Sequence, residues 1–238
     1  MPRPHAPKLA LCAIAIAALA VPTVAAGDPG TGGAQAPPPP QTEGVITASS
    51  PQIAMSTRAG TMVRKLARFR GTAPGAAGQT VAIERFDAAT QQWSTIATTK
   101  VAADGSYIAR WRPTKAGQLQ VRAVVRSASL ATAANASPEL AITIHRPAMA
   151  TWYGPGFYGR MTACGVRMTR TLLGVAHKKL KCGTKVAVLY KGRRIDVPVV
   201  DRGPFRHGTK YDLTAATAQA LGFDHTDRLG AIRLRPTP

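Results

Sequence analysis

The stretch VPVVDRGPF, residues 197–205, places an aspartate at the end of an apolar strand and a tight turn directly after it. Valines before Asp201 are typical of a buried strand, and the Arg-Gly-Pro that follows predicts a sharp change of chain direction. A carboxylate in this place either accepts hydrogen bonds from the backbone of the turn or acts as an acid or base. The surrounding sequence helps to decide between these two interpretations.

Residues 147–238 combine short predicted strands with one helix. Strands are indicated over residues 184–192, 193–201 and 228–236, and an Ala-rich helix over 212–223. We expect Asp212 or Thr214 to cap the helix and Gly222 to end it, and we interpret Asp212 as a helix N-terminal acid. Mixed short strands with one short helix predict a small closed β barrel.

Four motifs in this region occur in the order found in the rare lipoprotein A family. They are ATWYGPGFYGRMTACG (150–165), GVAHKKLKCGTKVAV (174–188), VPVVDRGPF (197–205) and YDLTAATAQALGF (211–223). The resemblance implies a six-stranded double-psi β barrel with one or two short helices. It also implies lytic transglycosylase activity on the glycan strands of peptidoglycan, which needs no cofactor and no metal.

The resemblance also implies roles for single residues. Asp201 matches the family's catalytic aspartate, and His177 matches a histidine of its second motif; the histidine alternatively caps a turn. The family's glutamate is replaced by Val166. Hydrolysis of a glycosidic bond usually needs two carboxyl groups. A lytic transglycosylase needs only one, because the sugar's own 6-hydroxyl attacks, so Asp201 alone supports an acid/base role. The alternative is an expansin-like module that binds or loosens the wall without cleavage.

An aromatic group lies among the first glycines of the predicted barrel. Trp152, Tyr153, Phe157 and Tyr158 lie among glycines, which allow a ligand to approach the backbone closely. Aromatic faces stack on sugar rings, so we expect one or two of them, together with Arg202, to bind substrate. The alternative is a packing plug at the mouth of the barrel.

The N-terminal part of the chain has the features of an exported protein. Residues 1–26 join a basic start, an apolar run and small residues, which is typical of a signal peptide. Residues 27–44 are rich in Pro and Gly and predict a linker. After removal of the signal peptide, the cysteines left are Cys164 and Cys182, which indicates one disulfide. A metal pair with His177 is the alternative, although the spacing is a weak metal signal.

Residues 45–146 predict a second domain made of strands. Short segments of alternating pattern, such as QTVAIERF (79–86) and GQLQVRAVV (117–125), are separated by turn-like DAATQQ, AADG and TKAG. Regular turns between short strands predict a β sandwich, and the pattern resembles bacterial immunoglobulin-like domains. Its acidic residues are scattered, so we expect no catalytic cluster in this domain.

The chain is strongly basic, with a formal net charge of +20, and residues 147–238 hold 16 Lys and Arg against five Asp. Such an excess attracts polyanions. For an exported protein we expect the partners to be peptidoglycan glycan strands and anionic wall polymers, with no nucleic acid and no stable membrane insertion. The expected location is therefore extracellular, in association with the cell wall.

Overall fold

The computed structural model describes residues 41–126 and 135–235. The predicted signal peptide, residues 1–26, lies outside the described residues, as do residues 27–40 of the predicted linker. Within the described ranges, no helix has the length and apolar character needed to cross a membrane.

The described chain consists mainly of strands, with one short helix. The strands are β1 (Gln41–Thr42), β2 (Val45–Ser49), β3 (Ala54–Arg58), β4 (Gly60–Met62), β5 (Ala67–Thr72), β6 (Thr80–Asp87), β7 (Gln92–Lys100), β8 (Ser106–Trp111), β9 (Gly117–Arg126), β10 (Leu140–Tyr153), β11 (Val175–Ala176), β12 (Lys185–Tyr190), β13 (Arg193–Asp201), β14 (Tyr211–Thr214) and β15 (Asp227–Arg233). The helix is α1 (Ala215–Leu221).

The first half of the described chain forms two sheets that share one apolar core. One sheet has the order β2-β3-β5-β8, and the other contains β10-β9-β6-β7. Alternate residues of both sheets point inward: Met55 and Phe69 from the first, and Val81, Ile83 and Val121 from the second, are all fully buried. This is the two-layer arrangement of a β sandwich. Its assignment to the immunoglobulin class stays a prediction.

Six strands of the second half close into a barrel. Their order is β14-β11-β13-β12-β15-β10, and the parallel pairing of β14 with β10 returns the sheet to its starting edge. Closure leaves no free edge within the barrel. Inward-facing residues such as Val186, Val197, Leu213 and Leu229 fill its interior and are fully buried. The mainly β fold with a six-stranded barrel, predicted from the sequence, is confirmed.

Strand β10 belongs to both the sandwich and the barrel. Its first residues, from Leu140, pair with β9 and β4, whereas the later residues, up to Tyr153, pair with β15 and β14. The predicted domain boundary at residues 146/147 therefore falls inside one continuous strand. Pro147 lies where β10 has β15 as its one strand partner, a position in a sheet at which proline is tolerated.

The helix is short and capped at both ends. Thr214 is its N-cap, and its side chain accepts a hydrogen bond from the backbone N–H of Thr217. Gly222 ends the helix with φ of 66°, a left-handed conformation that favours glycine. Of the two predicted N-caps, Thr214 is correct and Asp212 is wrong, because Asp212 lies within β14, two residues before the N-cap.

A disulfide joins Cys164 to Cys182, with Cα atoms 5.6 Å apart. The predicted pairing is confirmed. The bond connects the segment that follows β10 to the segment that precedes β12, so it staples two long connections of the barrel to each other. The disulfide acts together with hydrogen bonds from both connections to β13: the Ala163 N–H donates to the Asp201 carboxylate, and the Gly183 N–H donates to the carbonyl of Val199.

Charged groups are buried where the sandwich meets the barrel. Gln41 and Thr42, at the end of the predicted linker, pair with barrel strand β13. The next residue, Glu43, is buried, and its carboxylate lies 3.4 Å from the Arg194 guanidinium. Burial raises the pKa of Glu43, and the charge of Arg194 opposes that rise.

His145, on β10, lies at the same junction and is fully buried. Its Nδ1–H donates to the carbonyl of Thr61 at 3.1 Å, while Nε2 has no hydrogen-bond partner among the described residues. Burial lowers the pKa of His145 to about 4, and the nearby positive charge of Arg194 acts in the same direction. Gly230 packs against this side chain, since a Cβ at residue 230 would lie 2.8 Å from the Cβ of His145.

Replacing both cysteines by serine is expected to reduce the free energy of unfolding by about 3 kcal/mol, since the bond closes a loop of 18 residues. Chemical denaturation of the wild type with and without reductant, beside the double serine variant, measures the effect. Reductant should shift the wild-type midpoint and leave the variant unchanged. Equal midpoints for oxidised wild type and variant would show that the bond does not stabilise the fold.

His145→Asn is expected to flatten the pH dependence of stability. The folded-state pKa of about 4 lies below the ordinary 6.5, so the unfolded state binds more protons between these values. Wild-type stability should therefore fall by about 3 kcal/mol as pH drops from 7 to 4, beyond the fall seen in the variant. Urea denaturation across this pH range is the measurement. Parallel curves for the two proteins would contradict the assignment, whatever the variant's absolute stability.

Candidate active site

Four side chains form one row across neighbouring strands of the barrel. Ala176 on β11 pairs with Asp201 on β13 and with Asp212 on β14, and Asp212 in turn pairs with Thr151 on β10. Neighbouring strands lie about 4.8 Å apart, so the Cα atoms of the two aspartates are separated by roughly 10 Å. All four residues line the same cleft, which has a volume of about 630 Å³. The small side chain of Ala176 leaves space between two carboxyl groups.

Asp201 is held by three hydrogen bonds. Its Oδ1 accepts from the backbone N–H groups of Ala163 at 2.9 Å and Arg202 at 2.8 Å. Its Oδ2 accepts from the hydroxyl of Tyr153 at 3.2 Å. The carboxylate thus accepts a backbone N–H of the following turn, as the structural interpretation predicts. It also lines an open cleft, as the functional interpretation requires.

Asp212 is the second carboxyl group of the cleft. Its Oδ1 accepts a hydrogen bond from the Thr151 hydroxyl at 2.7 Å. Burial raises the pKa of Asp212; the hydrogen bond from Thr151 opposes the rise, and the negative charge of Asp201 adds to it. The interpretation of Asp212 as a helix N-terminal acid is wrong, because β14 directs this side chain into the cleft instead.

His177 contacts Asp201 through the backbone and caps a turn with its ring. Its N–H donates to the carbonyl of Asp201 at 3.1 Å. Its Nδ1 accepts from the N–H groups of Lys179 and Leu180 at 3.1 and 3.0 Å. Burial lowers the pKa of His177, and the charges of Lys210 and Arg202 lower it further. The ring is not among the groups that line the cleft, so its predicted catalytic role stays a prediction.

The Arg202 guanidinium is directed towards the loop that follows His177. It donates to the carbonyls of His177 at 3.2 Å and Leu180 at 2.7 Å, and it lies 3.3 Å from the sulfur of Cys182. These contacts fix the loop that the disulfide also holds. Arg202 lines one wall of the cleft, but its hydrogen-bond donors are directed at protein carbonyls.

Three of the four aromatic residues predicted to bind substrate line the cleft: Trp152, Tyr153 and Phe157. Tyr153 and Phe157 meet edge to face, with ring centroids 5.8 Å apart, while Trp152 and Phe157 are 40% and 48% exposed. Burial, together with the charge of Asp201, raises the pKa of the Tyr153 hydroxyl, which therefore remains a proton donor towards Asp201. Tyr158 lies outside the cleft lining, under the guanidinium of Arg170.

Val166, where the family has a glutamate, closes a turn beside Asp201. Its carbonyl accepts from the N–H of Thr162 at 2.8 Å, and its own N–H donates to the Thr162 hydroxyl at 3.2 Å. This turn presents the N–H of Ala163 to Asp201 and carries Cys164. The turn therefore positions a donor for the carboxylate, although the valine side chain supplies no acid.

The structure adds cleft residues that the sequence did not single out. Phe205, Arg206, His225 and Thr226 complete the lining of the cleft, and Phe205 is 83% exposed. The sequence signal that could have identified Phe205 is its position directly after the DRGP motif. Among the described residues, no cluster of three or more His, Cys, Asp and Glu is arranged to hold a metal ion.

Comparisons with known proteins find relatives of the C-terminal region. A family model described as "Lytic transglycolase" matches residues 146–235. A probable endolytic peptidoglycan transglycosylase RlpA from Synechocystis is 44% identical over 88 residues, which is 36% of this chain and 27% of that protein. An endolytic peptidoglycan transglycosylase RlpA from Neisseria meningitidis serogroup A is 36% identical over 113 residues, covering 42% and 47% of the two chains.

Among solved structures, the Streptomyces papain inhibitor (SPI) is 26% identical, with a TM-score of 0.29, and the match covers 36% of this chain and 92% of that one. The chain spans between about a quarter and a half of the length of the two curated relatives described above. The family match and these relatives, together with the closed six-stranded barrel, identify the C-terminal region. Residues 146–235 belong to the RlpA-like double-psi β-barrel family.

Proposed function

We propose that the barrel binds glycan strands of peptidoglycan in the cleft and cleaves them without water, as a lytic transglycosylase, outside the cytoplasm. The observation that carries this proposal is the pair of aspartates on either side of Ala176, in one cleft but in different surroundings. The names of the RlpA relatives support the substrate class. The disulfide supports an oxidising, extracytoplasmic location.

The surroundings of the two carboxyl groups assign them different roles. Burial favours the protonated form of Asp212, which makes it the general acid. Both oxygens of Asp201 are hydrogen-bond acceptors, and its partners present donors only, which makes it the general base. Two titratable groups in one cleft whose environments differ in this way are the usual arrangement for acid/base catalysis.

The proposed reaction transfers two protons, breaks one bond to the anomeric carbon and forms another. Asp212 donates its proton to the glycosidic oxygen, and the bond between that oxygen and the anomeric carbon breaks. The 6-hydroxyl of the same sugar attacks the anomeric carbon, closes a 1,6-anhydro ring and loses its proton to Asp201. Proton exchange with solvent then restores both carboxyl groups. The aromatic rings of Trp152 and Phe157 hold sugar rings beside the two aspartates.

A second candidate function is wall binding or loosening without cleavage. The observation that favours it is the valine at residue 166, which leaves the cleft without the family's glutamate. Exposed aromatic rings around the cleft suit a binding module equally well. The two functions differ in one product: cleavage without water leaves 1,6-anhydro ends, and binding alone leaves the strand intact.

Asp201→Asn is expected to reduce the formation of 1,6-anhydro ends at least about 100-fold, since asparagine keeps the size of the side chain but accepts no proton. Mass spectrometry of peptidoglycan digests measures the products. Asp196→Asn is the matched control, because Asp196 is an exposed barrel aspartate that pairs with Arg194 outside the cleft. Equal rates for wild type and Asp201→Asn would show that Asp201 only accepts structural hydrogen bonds and takes no part in catalysis. Wall binding by the wild type without any anhydro product would favour the second candidate function.

Asp212→Asn is expected to cause a loss of similar size and to change the pH profile. As the acid, Asp212 must be protonated, so wild-type activity should fall as pH rises through its elevated pKa. The variant's residual activity should lack this limb, because asparagine does not titrate. Initial rates measured from pH 4 to 8 test the assignment, and a variant that keeps the wild-type profile would refute it.

A further inference from the structure

One outer face of the sandwich carries a group of arginines. It belongs to the sheet of β2, β3, β5 and β8, whose inward residues, such as Met55 and Phe69, fill the core. Side chains of a strand alternate between its two faces, so the residues between these point outward. The surface, which we refer to as the arginine face, contains four exposed arginines: Arg58 on β3, Arg68 and Arg70 on β5, and Arg110 on β8.

The pairing register places these like charges side by side. Arg68 pairs directly with Arg110 across β5 and β8, and Arg70 follows Arg68 on the same face, about 7 Å further along the strand. Arg58 joins them, since it lines one shallow groove of about 290 Å³ together with Arg68 and Arg70. Like charges directly opposite each other destabilise a sheet. The fold therefore carries a repulsion that an anionic ligand on this face would remove.

No acidic side chain of this sheet compensates the charge. The four strands contain neither Asp nor Glu, and within residues 41–126 and 135–235 none of the four arginines forms a salt bridge. The other sheet of the sandwich differs, because Arg122 and Arg126 lie 3.0 and 2.9 Å from the carboxylate of Glu84. The fold thus neutralises arginines in one sheet and leaves those of the arginine face to a partner.

The chemistry of the arginine face favours phosphate groups. All its cations are arginines, whose planar guanidinium group can donate two parallel hydrogen bonds to one phosphate. Exposed hydroxyl groups, those of Thr47 and Thr72, stand on the same side of the sheet as further donors. The outward positions of the four strands hold no aromatic residue, so this face has no ring on which sugars or bases would stack.

We propose that the arginine face binds a linear phosphodiester polymer of the cell wall, of the polyol phosphate type, and thereby retains the protein in the wall. Successive phosphates of an extended poly(glycerol phosphate) chain are separated by one three-carbon unit, a distance close to the two-residue repeat of about 7 Å along a strand. An open sheet face with its charges in rows suits such an extended chain. The proposal goes beyond the cleavage reaction of the barrel, because it requires neither Asp201 nor Asp212.

The test measures the affinity of the whole protein for fluorescently labelled poly(glycerol phosphate) at low ionic strength. The triple variant Arg68→Gln, Arg70→Gln, Arg110→Gln is expected to bind about tenfold more weakly than the wild type, since each exposed charge contact contributes a few-fold at most. Added salt should weaken binding by the wild type and reduce the difference between the two proteins. Wild-type affinity in the triple variant would overturn the proposal.

The matched control is Lys65→Gln, Lys100→Gln, Lys115→Gln, which removes the same charge from exposed positions of the sandwich outside the arginine face. It should lose about twofold in affinity at most. Equal losses in the two triple variants would show that the charge of the whole chain attracts the polymer, and the arginine face would have no special role. The single variant Arg70→Gln, with an expected few-fold loss, repeats the test with a smaller change to the sheet.

Other polyanions test the class of the partner. Polygalacturonate carries carboxylates on sugar rings, and duplex DNA carries phosphates on a stiff helix. The loss of affinity caused by the arginine-face variant is expected to be largest for poly(glycerol phosphate). An equal or larger loss for polygalacturonate or for DNA overturns the assignment to a polyol phosphate polymer. None of these measurements involves cleavage, so their outcome is independent of whether the barrel forms 1,6-anhydro ends.

Discussion

The parallel pairing of β14 with β10 is the constraint on which the candidate site depends. Without it the six strands form an open sheet; with it, Thr151 and Asp212 become neighbours across the closing seam. The hydrogen bond between these two side chains then crosses the seam itself. Within the same sheet, β11 holds Ala176 between Asp201 and Asp212, so the separation of the carboxyl groups follows from strand spacing and not from flexible loops.

Much of the barrel was predictable because its motifs are local. The valine-rich strand before Asp201, the capped helix and the two cysteines each carry their signal within a few residues. Asp212 was misread for the same reason: it stands just before a helix, where an acid commonly interacts with the helix N-terminus. Its actual partner, Thr151, is 61 residues away and becomes its neighbour only through barrel closure. The direction of the Arg202 guanidinium was equally inaccessible, because its acceptors belong to another loop.

The junction between sandwich and barrel was the least predictable region. The change of composition near residue 146 suggested a domain boundary, and β10 continues through it as one strand. The Pro/Gly-rich composition up to residue 44 indicated a linker, yet its last residues pair with β13 and Glu43 is buried beside Arg194. The Nε2 of His145, for which the described part of the chain offers no partner, lies in the same region. Exposed Arg64, Lys65 and Arg146 line a groove at the same junction, so it holds both buried and exposed charge.

The continuity of β10 has a consequence for how such a chain can change over generations. Side chains of a strand alternate between two faces, so one residue inserted between Thr143 and Thr151 would turn every following side chain to the opposite face. The Thr151 side chain would then lose its hydrogen bond to Asp212, and β10 would direct a different set of side chains into the cleft. Insertions and deletions in this strand are therefore tolerated only in pairs, or together with a compensating bulge. Two domains that share a strand can therefore accept only an even number of inserted residues between them, whereas a flexible linker sets no such limit.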